Sequence, residues 1–370
     1  MKFICNTVEL SQACQNVQRA ASNKTAIPAI EGILLDASGS QLTLTGYDLE
    51  MGITTSIASR VETQGTIVLN AHTFSDILKR LPADTVTVEC DARNIASIKS
   101  GDAEYTLIGI SADEYPELPG VKNGYPIVID QLLLKDMVRK TIFSVAVKDS
   151  KAVHTGVKFE IEENHLRLIA VDGVRLAIRN EPINYSGEVL SFVVPSKTLS
   201  EVVKLMSETG GEVNLGVGKR HITFELEGYS IISRLLDGEF LNYKAAIPST
   251  TRTVVNVNTR AMLESIDRAS LIITDKLKSP VKCVFADSMI NISSFTSLGS
   301  ANDRLPAKIE GDNCVIGFNN KYMLEALRVC DTDEVRIMLN GSISPILIAP
   351  PEGDSYIFLI LPVRLKANED

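Results

Sequence analysis

The sequence predicts an α+β fold made of three tandem copies of one domain, each with two helices on an antiparallel sheet. The main observation is a strand-like stretch that begins at Gly32 and returns at Gly156 and Pro280, in two equal steps of 124 residues. A second strand-like stretch keeps this step, and a strand-to-helix segment returns after 125 and 124 residues. The two sets begin at Leu42, Leu166 and Ile290, and at Leu69, Val194 and Phe318.

A length of 370 residues leaves about 120 residues for each copy, which is an ordinary domain size. Segments with turn-forming residues at 116–120, which has two prolines and a glycine, and at 247–250, which has Pro248, mark the ends of the first two copies. We therefore predict domains at 1–122, 123–249 and 250–370.

Each copy opens with a predicted helix whose apolar residues recur at helical spacing, as expected for a helix lying on a sheet. Two strands joined by a short turn follow, then the second helix and further β-rich runs such as 85–89, 222–225 and 356–359. The helix stripes are Leu10, Ala13, Cys14 and Val17; Leu134, Met137 and Val138; and Met262, Leu263, Ile266 and Ala269.

Composition excludes several classes of protein. A net charge of −9 argues against a protein that coats nucleic acid with its whole surface, but it permits an acidic exterior with a basic inner face. No apolar run reaches the roughly 18 residues of a membrane span. The six cysteines form no CxxC pair, so we expect reduced thiols and a cytoplasmic protein.

Three copies in a row have a structural consequence. Inner sheet edges can pair between neighbouring domains, which leaves one open edge at each end of the chain. Because the two end edges differ, two chains would pair head to tail, and six domains could close a ring.

Four segments on this threefold repeat resemble the bacterial sliding clamp family, the beta subunit of DNA polymerase III. They are 1–3, 42–50, 170–177 and 361–365. The resemblance covers essentially residues 1–365 and implies a head-to-tail homodimeric ring that encircles duplex DNA without sequence preference. It also implies partners: the polymerase catalytic subunit, the clamp loader and repair proteins with clamp-binding motifs.

The resemblance implies three sets of site residues. DNA contacts are Lys24, Arg80, Lys148, Lys151 and Lys197. The partner-peptide cleft is His154, Val171, Gly173, Val174, Arg175, Leu176, Leu241, Tyr243, Ala246, Ile343, Leu361, Pro362, Val363, Arg364 and Leu365. The dimer contact is Tyr105 and Leu107 against Ile272 and Ile273.

Two of these features depart from the family pattern. His154 stands where the family has a leucine, which predicts a more polar pocket. The chain also continues past the cleft motif with a polar tail, 366–370, which we expect to be loose.

An enzyme reading has little support. The four histidines are dispersed, and the glycine-rich run at 211–219 lacks phosphate-loop spacing, with Arg220 where Ser or Thr would bind magnesium. We expect no catalytic residue, metal or cofactor. The alternatives are a peptide-binding scaffold that does not bind DNA, or an enzyme with its site at a domain junction.

Overall fold

The structure is a computed structural model that describes residues 1–22, 25–121, 125–149, 151–274 and 279–365. Its elements follow the predicted threefold order. The first copy contains β1 (Lys2–Asn6), α1 (Thr7–Val17), β2 (Gly32–Ser38), β3 (Gln41–Tyr47), β4 (Met51–Ala58), β5 (Arg60–Thr63), β6 (Gly65–Asn70), α2 (Ala71–Leu78), β7 (Thr85–Cys90), β8 (Ile95–Ser100) and β9 (Ala103–Ile108).

The second copy contains β10 (Tyr125–Asp130), α3 (Gln131–Ile142), β11 (Gly156–Glu162), β12 (His165–Val171), β13 (Arg175–Pro182), β14 (Leu190–Pro195), α4 (Ser196–Leu205), β15 (Glu212–Val217), β16 (His221–Leu226) and β17 (Tyr229–Arg234). The third contains β18 (Thr253–Asn258), α5 (Thr259–Ser270), β19 (Val281–Ala286), β20 (Met289–Thr296), β21 (Gly299–Pro306), β22 (Lys308–Gly311), β23 (Cys314–Phe318), α6 (Asn320–Arg328), β24 (Glu334–Leu339), β25 (Ile346–Ala349) and β26 (Tyr356–Ile360). Short 3-10 helices span Gln18–Ala20, Pro28–Glu31, Ala112–Glu114, Ala152–Thr155 and Tyr243–Ala246.

The helices begin where the local sequence supplies a cap. In α1, the Asn6 side chain accepts a hydrogen bond from the Glu9 backbone N–H at 3.0 Å, which satisfies a donor that the first helical turn leaves unpaired. The same side-chain cap occurs at Asn70, Asp130, Asn258 and Asn319. The predicted apolar stripes face the cores: Leu10, Cys14 and Val17 are fully buried, whereas Leu263 is only half-buried.

Close packing divides the chain into two units. The first comprises residues 1–133 and 197–235 and contains a five-stranded sheet, β5-β1-β7-β8-β9, and an eight-stranded sheet, β10-β15-β16-β17-β4-β3-β2-β6. In the eight-stranded sheet, β4 of the first copy pairs antiparallel with β17 of the second, and Ile53 lies opposite Ile231. We call this pairing the first junction.

The second unit comprises residues 134–196 and 236–370. Its nine-stranded sheet has the order β14-β11-β12-β13-β26-β25-β24-β18-β22, and its four-stranded sheet has the order β21-β20-β19-β23. In the nine-stranded sheet, β13 of the second copy pairs antiparallel with β26 of the third, and Ala177 lies opposite Phe358. We call this pairing the second junction.

In each copy, the segment that follows the last strand forms backbone hydrogen bonds with an edge strand of a sheet. Ile110 forms an antiparallel bridge with Val68 on β6, and Leu236 forms one with Val193 on β14. After β26, the Val363 N–H donates to the Gly317 carbonyl on β23 at 2.8 Å. Each copy therefore covers one of its own sheet edges, which would otherwise be open to pairing.

Candidate functional site

A buried apolar cluster lies at the second junction, on the sheet face opposite the helices. Its buried members come from β12, β13, β25, β26 and the segment after β17: Ile169, Val171, Leu176, Ile178, Leu347, Leu359 and Tyr243. The alternate residues of β13 face the helices, since Ala177 joins the main core and Arg179 pairs with Asp136 of α3 at 3.2 Å. Alternation thus gives the second junction an apolar floor, which includes the predicted cleft residues Val171 and Leu176.

Partly exposed apolar side chains surround this floor. Val174, Leu241, Leu361 and Val363 are each exposed to about two-fifths, and Ile343, on the loop between β24 and β25, is 81% exposed. Gly173, Ala246 and Arg364 are exposed, and Pro362 and Leu365 are half-buried. A buried apolar floor with an apolar rim is the arrangement that takes apolar anchors of a peptide.

Residues 361–365, which we call the C-terminal stretch, are held at two points. The Leu361 N–H donates to the Val174 carbonyl at 2.9 Å, and Val363 donates to Gly317 as described above. Gly317 has to be glycine for this contact, because a Cβ there would lie 2.7 Å from Leu365 Cδ2 and 2.8 Å from the Val363 carbonyl oxygen.

Residues 236–247, which we call the strap, form another side of the cleft and are fixed by a polar network. The Tyr243 hydroxyl donates to Glu160 Oε2 at 2.6 Å, and Lys158 and Arg167 pair with the same carboxylate at 2.7 and 3.3 Å. The Lys158 ammonium also lies 5.5 Å from the centre of the Phe240 ring.

Titration behaviour follows from this network. Burial and the hydrogen bond to Glu160 raise the pKa of Tyr243 to about 12. Burial alone would raise the pKa of Glu160, but hydrogen bonds from Lys158 and Tyr243 outweigh it and lower the pKa of that carboxyl. Glu160 is therefore ionised at neutral pH and accepts the Tyr243 hydrogen bond.

His154 lies beside the strap. Its Nδ1 is 3.0 Å from Asp149 Oδ2, and its ring meets Phe240 edge to face with centroids 5.6 Å apart. Its Nε2 is buried and has no hydrogen-bond partner among the residues that the structure describes. One of the two polar atoms of the His154 ring, Nδ1, therefore faces Asp149.

Arg175 lies on the helix side of the sheet. It is buried, its Nε donates to Asp172 Oδ2 at 2.7 Å, its Nη1 bonds Glu325 of α6, and its guanidinium stacks 4.6 Å from the centre of the Tyr322 ring. Arg175, predicted as a cleft residue, therefore does not face the apolar floor, because strand alternation turns its side chain toward the helices.

The first junction has the same strand arrangement as the second, but segments of its own copy cover the face where the second junction has its cleft. At the positions of Ile169, Val171 and Leu176 it has Thr45, Tyr47 and Gly52. Tyr115 and Leu118, which follow β9, pack against Tyr47, and Leu118 also covers Gly52. Within the described residues, the open apolar cleft thus belongs to the second junction.

The predicted DNA-contacting residues lie at several places. Lys148 and Lys151 are exposed beside the 3-10 helix at 152–155, and Arg80 is exposed after α2 and donates to the Asp76 carbonyl at 2.7 Å. Lys197 forms an ion pair with Asp48 although most of its side chain remains exposed. Lys24 falls outside the described residues, as does the tail at 366–370.

The predicted dimer residues lie on an edge strand of the first copy and after the first helix of the third copy. Tyr105 and Leu107 point to one face of β9, an edge strand of the five-stranded sheet. Ile272 and Ile273 directly follow α5 and are half-buried, and Ile273 packs against the core of the second unit.

Part of the cleft was not predicted from the sequence. The floor residues Ile178, Leu347 and Leu359 could have been found from the alternation of apolar residues along their strands. Lys158, Glu160 and Arg167 lie on the local hairpin of β11 and β12, but their role at the cleft had no sequence signal, because it depends on the contact of Glu160 with Tyr243, 83 residues away in the chain.

Comparisons with known proteins identify the family. Three family models match in order: the DNA polymerase III beta subunit N-terminal domain at residues 1–119, its central domain at 128–242 and its C-terminal domain at 244–364. The beta sliding clamp of Bacillus subtilis (strain 168) is 34% identical, over 98% of this chain and 100% of that protein.

Solved structures agree with these matches. The crystal structure of the Bacillus subtilis DNA polymerase sliding clamp superposes with a TM-score of 0.97 at 34% identity, over 99% of this chain and 100% of that one. A sliding clamp from Pseudomonas aeruginosa, crystallised bound to griselimycin, superposes with a TM-score of 0.94 at 26% identity, over 99% and 100% of the two chains. The chain therefore belongs to the family of the DNA polymerase III beta subunit, the bacterial DNA sliding clamps.

Proposed function

We propose that two copies of this chain join head to tail into a ring that encircles duplex DNA and tethers the replicative polymerase through the cleft. The observation that carries the proposal is a strand pairing that recurs at both internal junctions, which we call the junction rule. At both internal junctions, the third strand of a three-stranded antiparallel run in one copy (β4 or β13) pairs with the last strand of the next copy (β17 or β26).

The same rule leaves one pair of strands without a partner. In the third copy the equivalent of β4 and β13 is β21, and in the first copy the equivalent of β17 and β26 is β9. Each is the edge strand of a short sheet, of four and five strands respectively. Pairing β21 of one chain with β9 of another would join the four- and five-stranded sheets into a third long sheet, of nine strands, and doing so twice would close a symmetric dimer.

The predicted dimer residues fit this pairing. Tyr105 and Leu107 face the same side of β9 as the core residues Ile98 and Ala96 opposite them, so a partner strand would complete their burial. Ile272 occupies the position of Ala20 and Ser144, which are fully buried at the internal junctions, yet Ile272 is only half-buried in the single chain.

DNA binding of this kind would be sequence-independent. Lysine and arginine contacts to phosphates carry no sequence information, so Lys24, Arg80, Lys148, Lys151 and Lys197 suit a ring that slides. The Lys197 contact would require its ammonium to exchange Asp48 for a phosphate. A net charge of −9 keeps the rest of the surface from adhering to DNA.

Partner proteins would dock at the cleft through short apolar motifs. The buried floor and exposed rim at the second junction support this, with Val174, Leu241 and Leu361 placed to cover an inserted side chain. We propose the polymerase catalytic subunit, the clamp loader and repair proteins as its ligands, and infer that griselimycin binds this chain as it binds the Pseudomonas aeruginosa clamp.

We infer further that the chain is a processivity factor with no catalytic site of its own, acting in the cytoplasm, with domains at 1–122, 123–249 and 250–370. Among the described residues, no cluster of His, Cys, Asp or Glu has the arrangement of a metal site, and no helix is long and apolar enough to cross a membrane.

A topological experiment tests the proposal. The protein is loaded onto nicked circular plasmid with a bacterial clamp loader, and the DNA is then left circular or cut once. We expect retention on the circle at high salt and rapid loss after cutting, because a ring leaves only over an end. Equal retention on both DNAs would overturn the ring, and no retention at all would favour the peptide-binding scaffold.

A further inference from the structure

The first strands of the three copies, β1, β10 and β18, can be aligned through one backbone hydrogen bond. The residue after each strand donates its N–H to a carbonyl across the sheet: Thr7 to Asp84 at 2.8 Å, Gln131 to Gly211 at 2.8 Å, and Thr259 to Asp333 at 2.9 Å. Ile4, Val128 and Asn256 each lie three residues earlier, so they occupy one position of the repeat.

Two of these strands are paired on both sides, and the third is not. β5 pairs with β1 on the side away from β7, with Arg60 opposite Ile4. β22 pairs with β18 on the side away from β24, with Lys308 opposite Asn256. β10 pairs with β15 and is the end strand of its sheet, so no strand in the described part of the chain covers its other side. We call residues 126–130 on this side the β10 edge.

The β10 edge presents backbone groups that have no partner among the described residues. Successive residues of a strand direct their backbone groups to alternate sides, and the Gln131 bond described above fixes which side each residue of β10 uses. Ile127 and Ile129 therefore bond to β15. The N–H and carbonyl of Val128 and the carbonyl of Pro126 face the β10 edge, and Val128 is 49% exposed. Such an edge is a template for an added strand.

The second copy has a segment at the position of β5 and β22, but that segment is bonded elsewhere. Residues 184–187 correspond to both strands by equal steps of 124 residues. The Ile183 N–H donates to the Asn164 carbonyl at 2.7 Å, and the Tyr185 N–H donates to the Asn164 side chain at 3.3 Å. The Tyr185 side chain is buried. The segment is thus held at the turn between β11 and β12 and forms no strand.

The strands β5 and β22 show which side chains suit this edge. Each carries a basic residue, a β-branched aliphatic residue and Glu in succession, at 60–62 and 308–310. In β22, Ile309 lies opposite the fully buried Val255, whose counterpart in β10 is Ile127. The basic residue and Glu form an ion pair in both strands, at 3.2 and 2.8 Å. The chain therefore covers the same edge twice with the same short pattern.

We propose that the β10 edge binds an extended segment of a partner protein, which carries this basic–aliphatic–Glu pattern and adds an antiparallel strand to the eight-stranded sheet. In the register of β22 on β18, the aliphatic residue of the segment lies opposite Ile127 and its basic residue lies opposite Val128, with which it exchanges both backbone bonds. Its Glu lies opposite Pro126, whose carbonyl accepts a third bond. Pro126 has no N–H, which restricts pairing with other strands. A second copy of β10 is a poorer occupant, because residues 125–130 contain no basic residue.

A peptide with the β22 pattern tests the site. The probe is a fluorescently labelled peptide of the chain's own residues 306–312, added to the full chain. We expect saturable binding by anisotropy and slower hydrogen exchange of the Val128 amide. Val128→Pro should weaken binding at least about tenfold, because proline removes the N–H that faces the edge without breaking a bond to β15. Val128→Thr is the matched control: it keeps the N–H and the β-branched shape, so it should bind like the unmodified chain.

Each other outcome overturns the proposal in a recognisable way. Absence of binding, or binding that Val128→Pro leaves unchanged, overturns the site. Binding lost in Gly317→Val but kept in Val128→Pro would place the peptide in the cleft instead. Self-association beyond the proposed dimer that Val128→Pro abolishes would make a second copy the occupant. A peptide with Ile309→Asp should bind at least about tenfold more weakly, and equal binding would contradict the aliphatic contact.

A second measurement tests whether the edge is open and needs no peptide. Val128 and Asn256 occupy the same position, but Asn256 lies opposite Lys308 of β22 and exchanges backbone bonds with it. We therefore expect Asn256→Pro to lower the melting temperature clearly, whereas Val128→Pro should lower it little, because proline is tolerated where the N–H of an edge strand faces solvent. An equal loss in the two variants would show that the Val128 N–H already has a partner, and would overturn the open edge.

Discussion

Replacing Tyr243 with Phe should loosen the strap without unfolding the second unit. Tyr243 is buried, with 4% of the residue exposed, and its hydroxyl donates to the Glu160 carboxylate at 2.6 Å. A hydrogen bond to a charged group contributes about 1.5–3 kcal/mol, and we take the lower end because Lys158 and Arg167 still pair with Glu160. Phe keeps the ring, so the apolar packing is retained.

A loss of about 1.5 kcal/mol raises the population of the detached strap roughly tenfold. Lys244 is an exposed residue within the strap, so trypsin cleavage after it reports strap opening. When closing is faster than cleavage, the cleavage rate follows the open population. We therefore expect Tyr243→Phe to be cleaved after Lys244 about ten times faster than the unmodified chain, as followed by mass spectrometry.

Tyr185→Phe is the matched control. Tyr185 is similarly buried in the same unit, and its hydroxyl donates to the Glu188 carbonyl at 2.9 Å, away from the strap. If Tyr243→Phe were cleaved after Lys244 no faster than Tyr185→Phe, the hydrogen bond to Glu160 would not hold the strap.

Four further predictions follow from the site and the proposed assembly. Gly317→Val should displace the C-terminal stretch and weaken binding of an apolar-motif peptide at least tenfold by fluorescence anisotropy, with the dimer mass unchanged; unaltered affinity would contradict the role of that close contact. Lys148→Ala should lower the salt slope of DNA binding by about 1, whereas Lys99→Ala should leave it unchanged. Leu107→Asp should weaken the dimer by about 3 kcal/mol or more, giving monomers in sedimentation, because a charge would be buried without a partner. Folding lowers the pKa of Glu160, so its contribution to folding stability is present above the ordinary pKa of 4.5 and is lost as pH falls through the folded pKa. Urea unfolding should therefore show a larger loss of stability between pH 6 and pH 3 for the unmodified chain than for Glu160→Gln.

Local features of the fold were predictable from the sequence. The stripe of Leu10, Cys14 and Val17 identified α1 and its buried face, because helical periodicity is a property of neighbouring residues. The repeat also predicted that domains share sheets. It could not give the register of β4 with β17, which depends on residues about 180 positions apart.

The candidate site was predicted less completely. Val171 on β12 and Leu176 on β13 were expected in the cleft and lie in its floor, but the resemblance alone did not say which face of its strand each residue occupies. Arg175 is one residue from Leu176 and points the other way, where Asp172 and Glu325 bind it. Only the pairing partners of a strand decide which of its two faces meets helices and which meets the strap.

The sharing of sheets has a consequence for how such a protein can be divided or shortened. The middle copy contributes four strands to the eight-stranded sheet and four to the nine-stranded sheet. A gene fragment encoding that copy alone would yield two partial sheets. In each, an interior strand of the complete sheet, β17 or β13, would become an open edge that can pair with another chain. Evolution could therefore gain or lose one repeat only if the strands on both sides of the cut found new neighbours at once.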